Sequence, residues 1–130
     1  NRLEEDILMR HELDRLAANY PHRVFVTYSL TGEEAAASVA DSKQQTNKNG
    51  PNWWSGRGSV EMARAALPPS TKDGKTMIFV CGKDGFVSAW AGPVVRGPPK
   101  ADGSKGPKIQ GPLLGILASS GYHADEVFKY

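Results

Sequence analysis

The chain is short of cysteine, histidine and uninterrupted apolar sequence, and each shortage removes a class of protein. One cysteine in 130 residues cannot close an internal disulfide, and three histidines beside it show no metal-ligand spacing. A disulfide scaffold and a zinc module are excluded. The longest tight apolar cluster, Met77-Ile78-Phe79-Val80-Cys81, falls far short of the ~18–20 residues that a membrane-spanning helix needs. An excess of one charge is lacking too. Sixteen Lys and Arg oppose fourteen Asp and Glu, a net +2, where a nucleic-acid-binding domain would present a clearly basic face. There is no internal repeat. No signal-type apolar segment follows Asn1 and an amphipathic pattern begins almost at once, so the chain reads as excised from something longer.

What remains is a composition of 39% apolar and 23% charged residues, suited to one ordinary globular domain. Residues 3–18 place Leu3, Ile7, Leu8, Leu13, Leu16 and Ala17 at helical spacing, with acids early and Arg10 and Arg15 later, as the helix dipole favours. Asn19 and Pro21 should end that helix, and residues 23–30 are β-branched and aromatic enough for a strand. Residues 31–52 read as a long polar surface loop. Ser59 can cap a short helix carrying Val60, Met62, Ala63, Ala66 and Leu67, which Pro68-Pro69 ends. The run from Thr76 to Cys81 predicts a central parallel strand covered on both faces, and a helix should begin near Phe86. Residues 92–111 carry so many Gly and Pro that neither helix nor strand is expected there. Pro112 suits the first turn of a last helix over Leu113 to Ala118, stopped by Gly121, and residues 126–130 close the chain as a strand. The alternation predicts an α/β fold, a three-layer sandwich with a parallel central sheet.

In an open parallel sheet, ligands bind outside the carboxyl ends of the strands. Cys81-Gly82-Lys83-Asp84-Gly85-Phe86 falls at such a place, where Gly82 lets a ligand approach the backbone and amides at the next helix start favour a phosphate or a carboxamide. Cys81 is either a thiol at the mouth of that crevice or a small core residue ending an apolar strand. Asp6 either accepts ribose hydroxyls and repels a 2′-phosphate, or compensates the helix dipole together with Glu4 and Glu5. Trp53-Trp54 is a lid over a ligand or the anchor of the long loop. The basic 92–111 segment is a solvated linker, or meets an acidic partner or lipid head groups. The single His11, His22 and His123 support no hydrolytic triad.

Residues 1–16, the strand from Arg23 to Leu30, Trp54 with Gly56 and Gly58, Leu67-Pro68-Pro69, Phe79-Val80-Cys81-Gly82, and the tail from Leu117 to Tyr130 together resemble the pyridine-nucleotide lobe of the NADH-cytochrome b5 reductase family. These are ferredoxin-reductase-like flavoenzymes. Only the loops 31–52 and 92–111 stand outside the likeness. It implies a nucleotide-binding lobe lacking its first strand and Gly-rich pyrophosphate turn, with FAD bound by a barrel outside these residues; the piece alone is expected to be inactive. It further implies that Asp6 favours NADH over NADPH, that Cys81 stands beside the nicotinamide with Gly82 following it, that Phe86 helps to hold the nucleotide, and that Val24 falls near the adenosine. Lys83-Asp84-Gly85 departs from the proline-rich turn common in the family. Hydride would pass from NADH to flavin and electrons then to a haem or cytochrome acceptor. The two loops resemble a fungal mitochondrial branch that reduces haem for cytochrome c maturation at the inner membrane facing the intermembrane space; the alternative is the endoplasmic reticulum or a cytosolic membrane surface. A second function stays open: a reductase-derived, non-catalytic module that docks an assembly partner through 92–111.

Overall fold

A computed structural model describes residues 1–32, 44–45, 51–71 and 74–130, and its contacts divide the chain into two compact units, Asn1–Arg57 and Gly58–Tyr130. Most of the long loop expected over 31–52 therefore lies outside the described residues.

In the first unit the helix expected over residues 3–18 is interrupted. Glu4–Asp6 form a 3-10 turn, Met9 takes a left-handed backbone (φ 56°), and α1 runs only over Arg10–Asn19. The break has a tertiary counterpart: Ile7 turns into a core with Tyr28 and Leu30, whereas Leu8 and Met9 stay exposed. The following strand is shorter than its composition suggests. Arg23 and Val24 both donate their backbone N–H to the Tyr20 carbonyl in a turn, and β1 is Thr27–Leu30. It pairs parallel with β3 (Asn52–Ser55), and β2 (Gln44–Gln45) joins β3 antiparallel, so two residues of the expected loop are strand.

Trp53 and Trp54 are no lid; as the anchor reading has it, Gln45 and Gln44 of the long loop pair with them. They belong to β3, where Trp54 is buried and Trp53 stacks at 5.0 Å from the Tyr28 ring, with the Arg10 guanidinium 5.3 Å above it. Arg10 also forms ion pairs with Glu4 and Asp14, and Tyr28 donates its hydroxyl to Asp14 Oδ1 at 2.8 Å. Burial and that carboxylate push the Tyr28 pKa up to about 12.

The second unit begins with α2 (Val60–Ala66), where Ser59 Oγ accepts from the Met62 N–H as the sequence predicts, and the helix ends before Pro68. β4 (Ile78–Val80) pairs parallel with β7 (Val127–Lys129). It is not covered on both faces as expected: Ile78 and Val80 point into the core, while Phe79 is 64% exposed. Apolar content alone hid that alternation. α3 (Asp84–Ala91) follows β4, and α4 (Gly115–Ser120) starts later than expected, leaving Pro112 outside it. Gly115 is obligatory, since its backbone is left-handed and a Cβ there would lie 2.3 Å from the Ala89 carbonyl oxygen. Gly121 ends α4 as predicted, with Tyr122 N–H returning to Leu117.

The 92–111 segment corrects the sequence reading most plainly. β5 (Val94–Arg96) and β6 (Lys108–Gln110) form an antiparallel ribbon, because the glycines and prolines concentrate in the turn and spare two short arms. Each unit combines short parallel strands with helices, an α/β arrangement whose described strands fall into three hydrogen-bonded groups, β1-β3-β2, β4-β7 and β5-β6.

Two buried charges mark the ends of β7, Glu126 just before it and Lys129 as its last residue. Lys129 Nζ donates to the carbonyls of Ala91, Pro93, Gly111 and Pro112 at 2.8–3.4 Å, and burial holds its pKa below the ordinary lysine value. Glu126 accepts from Ser70 Oγ, the Thr71 N–H and the His123 N–H at 2.6–2.8 Å, and these bonds, led by Ser70, hold its carboxyl below the usual range. Lys129→Met keeps the apolar stem but strips the shared donor from four carbonyls, that of buried Ala91 among them, so stability in urea should fall by about 1–3 kcal/mol; an equal or higher midpoint would show that the cage does not stabilise the unit.

The Glu126 carboxyl predicts a pH dependence. Its folded-state pKa lies below the reference value of 4.5, so its contribution is complete above that value and is lost as pH falls through the lowered one. The melting temperature of Glu126→Gln should lie below that of the parent chain at neutral pH, and the gap should close on acidification below 4.5; a gap independent of pH would assign the loss to packing alone.

Candidate nucleotide site

Cys81 follows the last residue of β4 and its side chain is exposed, so the thiol opens to solvent at the carboxyl end of a parallel pair and is not a core residue. Hydrogen bonding fixes the strand end: the Tyr130 N–H donates to the Val80 carbonyl at 3.0 Å. The chain then turns through Gly82 and Lys83 into α3, where the Lys83 carbonyl receives the Phe86 and Val87 N–H groups at 2.8 and 3.0 Å. Amides earlier in that first turn have no intrahelical acceptor, which leaves donors beside the thiol.

Phe86 closes one side of this turn. A Cβ on residue 82 would stand 2.9 Å from the Phe86 ring, so glycine allows the ring to lie against the backbone. The ring also meets Trp90 at 5.9 Å. Cys81, Gly82 and Phe86 are thus brought together, as an exposed thiol, a bare stretch of backbone and an apolar wall. This set can accept a flat, partly polar ring and hydrogen-bond a carboxamide.

Asp6 and Val24 lie in the first unit. Asp6 is exposed in the 3-10 turn, not in the first turn of α1, and one carboxylate oxygen accepts from the Leu3 N–H at 3.0 Å. Val24 is half-buried in the turn after α1. Sequence reasoning missed the charges that brace the second unit. A usable signal existed for Lys129: two residues from Val127 on a short strand, it must share that residue's inward face. Among the described residues there is no cluster of metal-ligating side chains, and no helix is long and apolar enough to cross a membrane.

A family model described as the oxidoreductase NAD-binding domain matches residues 1–91, and the chain belongs to this family. Its relatives bear out the resemblance read from the sequence. NADH-cytochrome b5 reductase 2 of Neosartorya fischeri is 35% identical over 129 residues, covering 98% of this chain and 32% of that protein. NADH-cytochrome b5 reductase 2-A of Vanderwaltozyma polyspora is 34% identical over 131 residues, covering 100% and 35%. NADH-cytochrome b5 reductase 2 of Coccidioides immitis is 35% identical over 133 residues, covering 100% and 32%. The chain spans about a third of the length of the curated relatives it matches. No solved structure matches it.

The exposure of Cys81 has a direct check. Ellman's reagent should titrate one thiol in the native chain, within about tenfold of its rate in denaturant, and Cys81→Ala should change stability by less than about 0.5 kcal/mol. Native-state protection by several hundredfold would return the thiol to the interior.

Proposed function

We propose that this chain is the NADH-binding lobe of an FAD-dependent reductase of the cytochrome b5 reductase type, and that the Cys81-Gly82 turn takes the nicotinamide. The observation that carries the reading is the exposed thiol and bare glycine backbone at the carboxyl end of β4, inside the stretch matched by the NAD-binding family. The donors and the apolar wall present fit a nicotinamide, which offers a flat ring and a carboxamide. NADH, when bound, supplies a hydride to flavin, and electrons pass on to a haem or cytochrome acceptor.

The protein's part is to orient. Cys81 and Gly82 define the floor against which the ring lies, and Phe86 limits its sideways movement. Amides at the start of α3 receive the carboxamide oxygen. For Asp6 and Val24, roles at the ribose and the adenosine rest on the family resemblance; a carboxylate there repels a 2′-phosphate and so selects NADH over NADPH. The finer architecture belongs to the same proposal: a ferredoxin-reductase-like three-layer lobe whose first strand, Gly-rich turn and flavin-binding barrel lie outside these residues. A mitochondrial setting at the inner membrane, facing the intermembrane space, is proposed from the two loops that resemble the fungal branch.

The test uses the longer, flavin-loaded protein. NADH should bleach the flavin absorbance, Cys81→Ala should slow the bleaching by about 10–100-fold, and Asp6→Thr should narrow the NADH-over-NADPH ratio of kcat/KM. Flavin that NADH never reduces would favour the docking module instead. An unchanged bleaching rate in Cys81→Ala would remove that residue from the nicotinamide site.

A further inference from the structure

The ribbon that begins after residue 91 lies beyond the part of the chain matched by the NAD-binding family. Its pairing register is Val94 with Gln110, Val95 with Ile109 and Arg96 with Lys108. Side chains alternate along a strand, so Val94, Arg96, Lys108 and Gln110 share one face while Val95 and Ile109 occupy the other. The first of these faces looks onto α3. Between them is an open cleft of about 260 Å³, lined by Asp84, Val87 and Ser88 of the helix and by Val94, Arg96 and Lys108 of the ribbon.

Arg96 and Lys108 stand directly opposite each other, an arrangement that is destabilising for like charges unless something between them is negative. No acidic side chain among the described residues fills that role. Neither cation has an ion-pair partner within 4.0 Å among the described residues, and Asp84, although it lines the same cleft, reaches neither. Arg96 donates from one nitrogen to the Gly106 carbonyl at 3.2 Å, which leaves most of its five donors for another acceptor. Two cations and one carboxylate give the cleft a surplus positive charge.

We propose that this cleft binds a phosphate group, held between Arg96 and Lys108 with the Ser88 hydroxyl as a third donor. A guanidinium presents a fork of donors that suits phosphate oxygens, and buried Val87 with half-buried Val94 forms an apolar floor beneath it. The volume limits the ligand: sites that enclose a whole drug-sized molecule are ~300–1,000 Å³, so this one takes the phosphoryl end of a ligand and not a whole dinucleotide. The site is also held in place. The Gln110 side chain bonds both backbone groups of Lys129 at 2.9 Å, and Lys129 Nζ grips the carbonyls of Pro93 and Gly111 at the ribbon's base, so little ordering remains to be done on binding. The proposal stands whether or not nicotinamide binds at Cys81.

The test is an NMR titration of the 130-residue chain with inorganic phosphate at constant ionic strength, following the Ser88, Arg96 and Lys108 amides. The shifts should saturate. Binding should weaken about tenfold in Lys108→Gln, as expected for loss of one charge-assisted hydrogen bond, and should tighten in Asp84→Asn, which removes the opposing carboxylate. The Lys108 side chain is exposed and has no hydrogen-bond or ion-pair partner among the described residues, so its variant tests the site without disturbing the ribbon's backbone pairing. Shifts that do not saturate, that survive Lys108→Gln, or that acetate reproduces at equal concentration would overturn the proposal. In the longer, flavin-loaded protein, competition between phosphate and NADH at these amides would identify a nucleotide phosphate as the source, and saturable phosphate binding that NADH leaves untouched would identify a separate phosphorylated ligand.

Discussion

An ammonium withdrawn from water and faced only by carbonyl oxygens is the constraint on which the second unit depends. Among the described residues Lys129 has no carboxylate partner, and its ammonium is met instead by backbone carbonyls of Ala91, Pro93, Gly111 and Pro112. Those four residues lie at the end of α3, at both sides of the ribbon's base and in the approach to α4. One side chain therefore fixes three elements that share no strand ladder with β7. Its positive charge also meets the negative end of α3, where the last carbonyls lack intrahelical partners.

Glu126 performs the opposite task three residues earlier. Its carboxylate collects donors from Ser70, Thr71 and His123, tying the segment after α2 to the start of β7. The strand that follows Glu126 and ends on Lys129 is only three residues long, and so short a strand holds its position weakly by itself. Buried charge reinforces it here. The parallel register sets Val80 opposite Lys129, so the caged ammonium lies at the same end of the strand pair from which Cys81 emerges.

What could be read from the sequence follows from this distinction. Local signals were legible: the Ser59 cap, the Pro68 stop, the Gly121 C-cap and the closing strand each depend on a few adjacent residues. The turn at Cys81-Gly82 and Phe86 was legible for the same reason. Tertiary choices were hidden. The helix over residues 3–18 broke where Ile7 turns to Tyr28 and Leu30, and the 92–111 segment formed a ribbon because Lys129 and Gln110 hold its base. Breaker density gave the turn correctly but could not show that two three-residue arms would find each other across it.

The same logic links the braces to the chemistry proposed at the strand end. Hydride transfer demands that donor and acceptor atoms be held within a few tenths of an ångström, and a site is only as exact as the elements that carry it. In this unit the exposed turn carries no charge network of its own: Cys81 and Gly82 are held by the backbone bond from Tyr130 to Val80 and by the start of α3. Both depend in turn on β7 staying in register with β4. Placing the costly buried charges on β7, and leaving the turn after β4 with a thiol, a glycine and an aromatic wall, keeps that turn open to a ligand while its position is set from the neighbouring strand. Rigidity and accessibility are thereby assigned to different strands of one parallel pair.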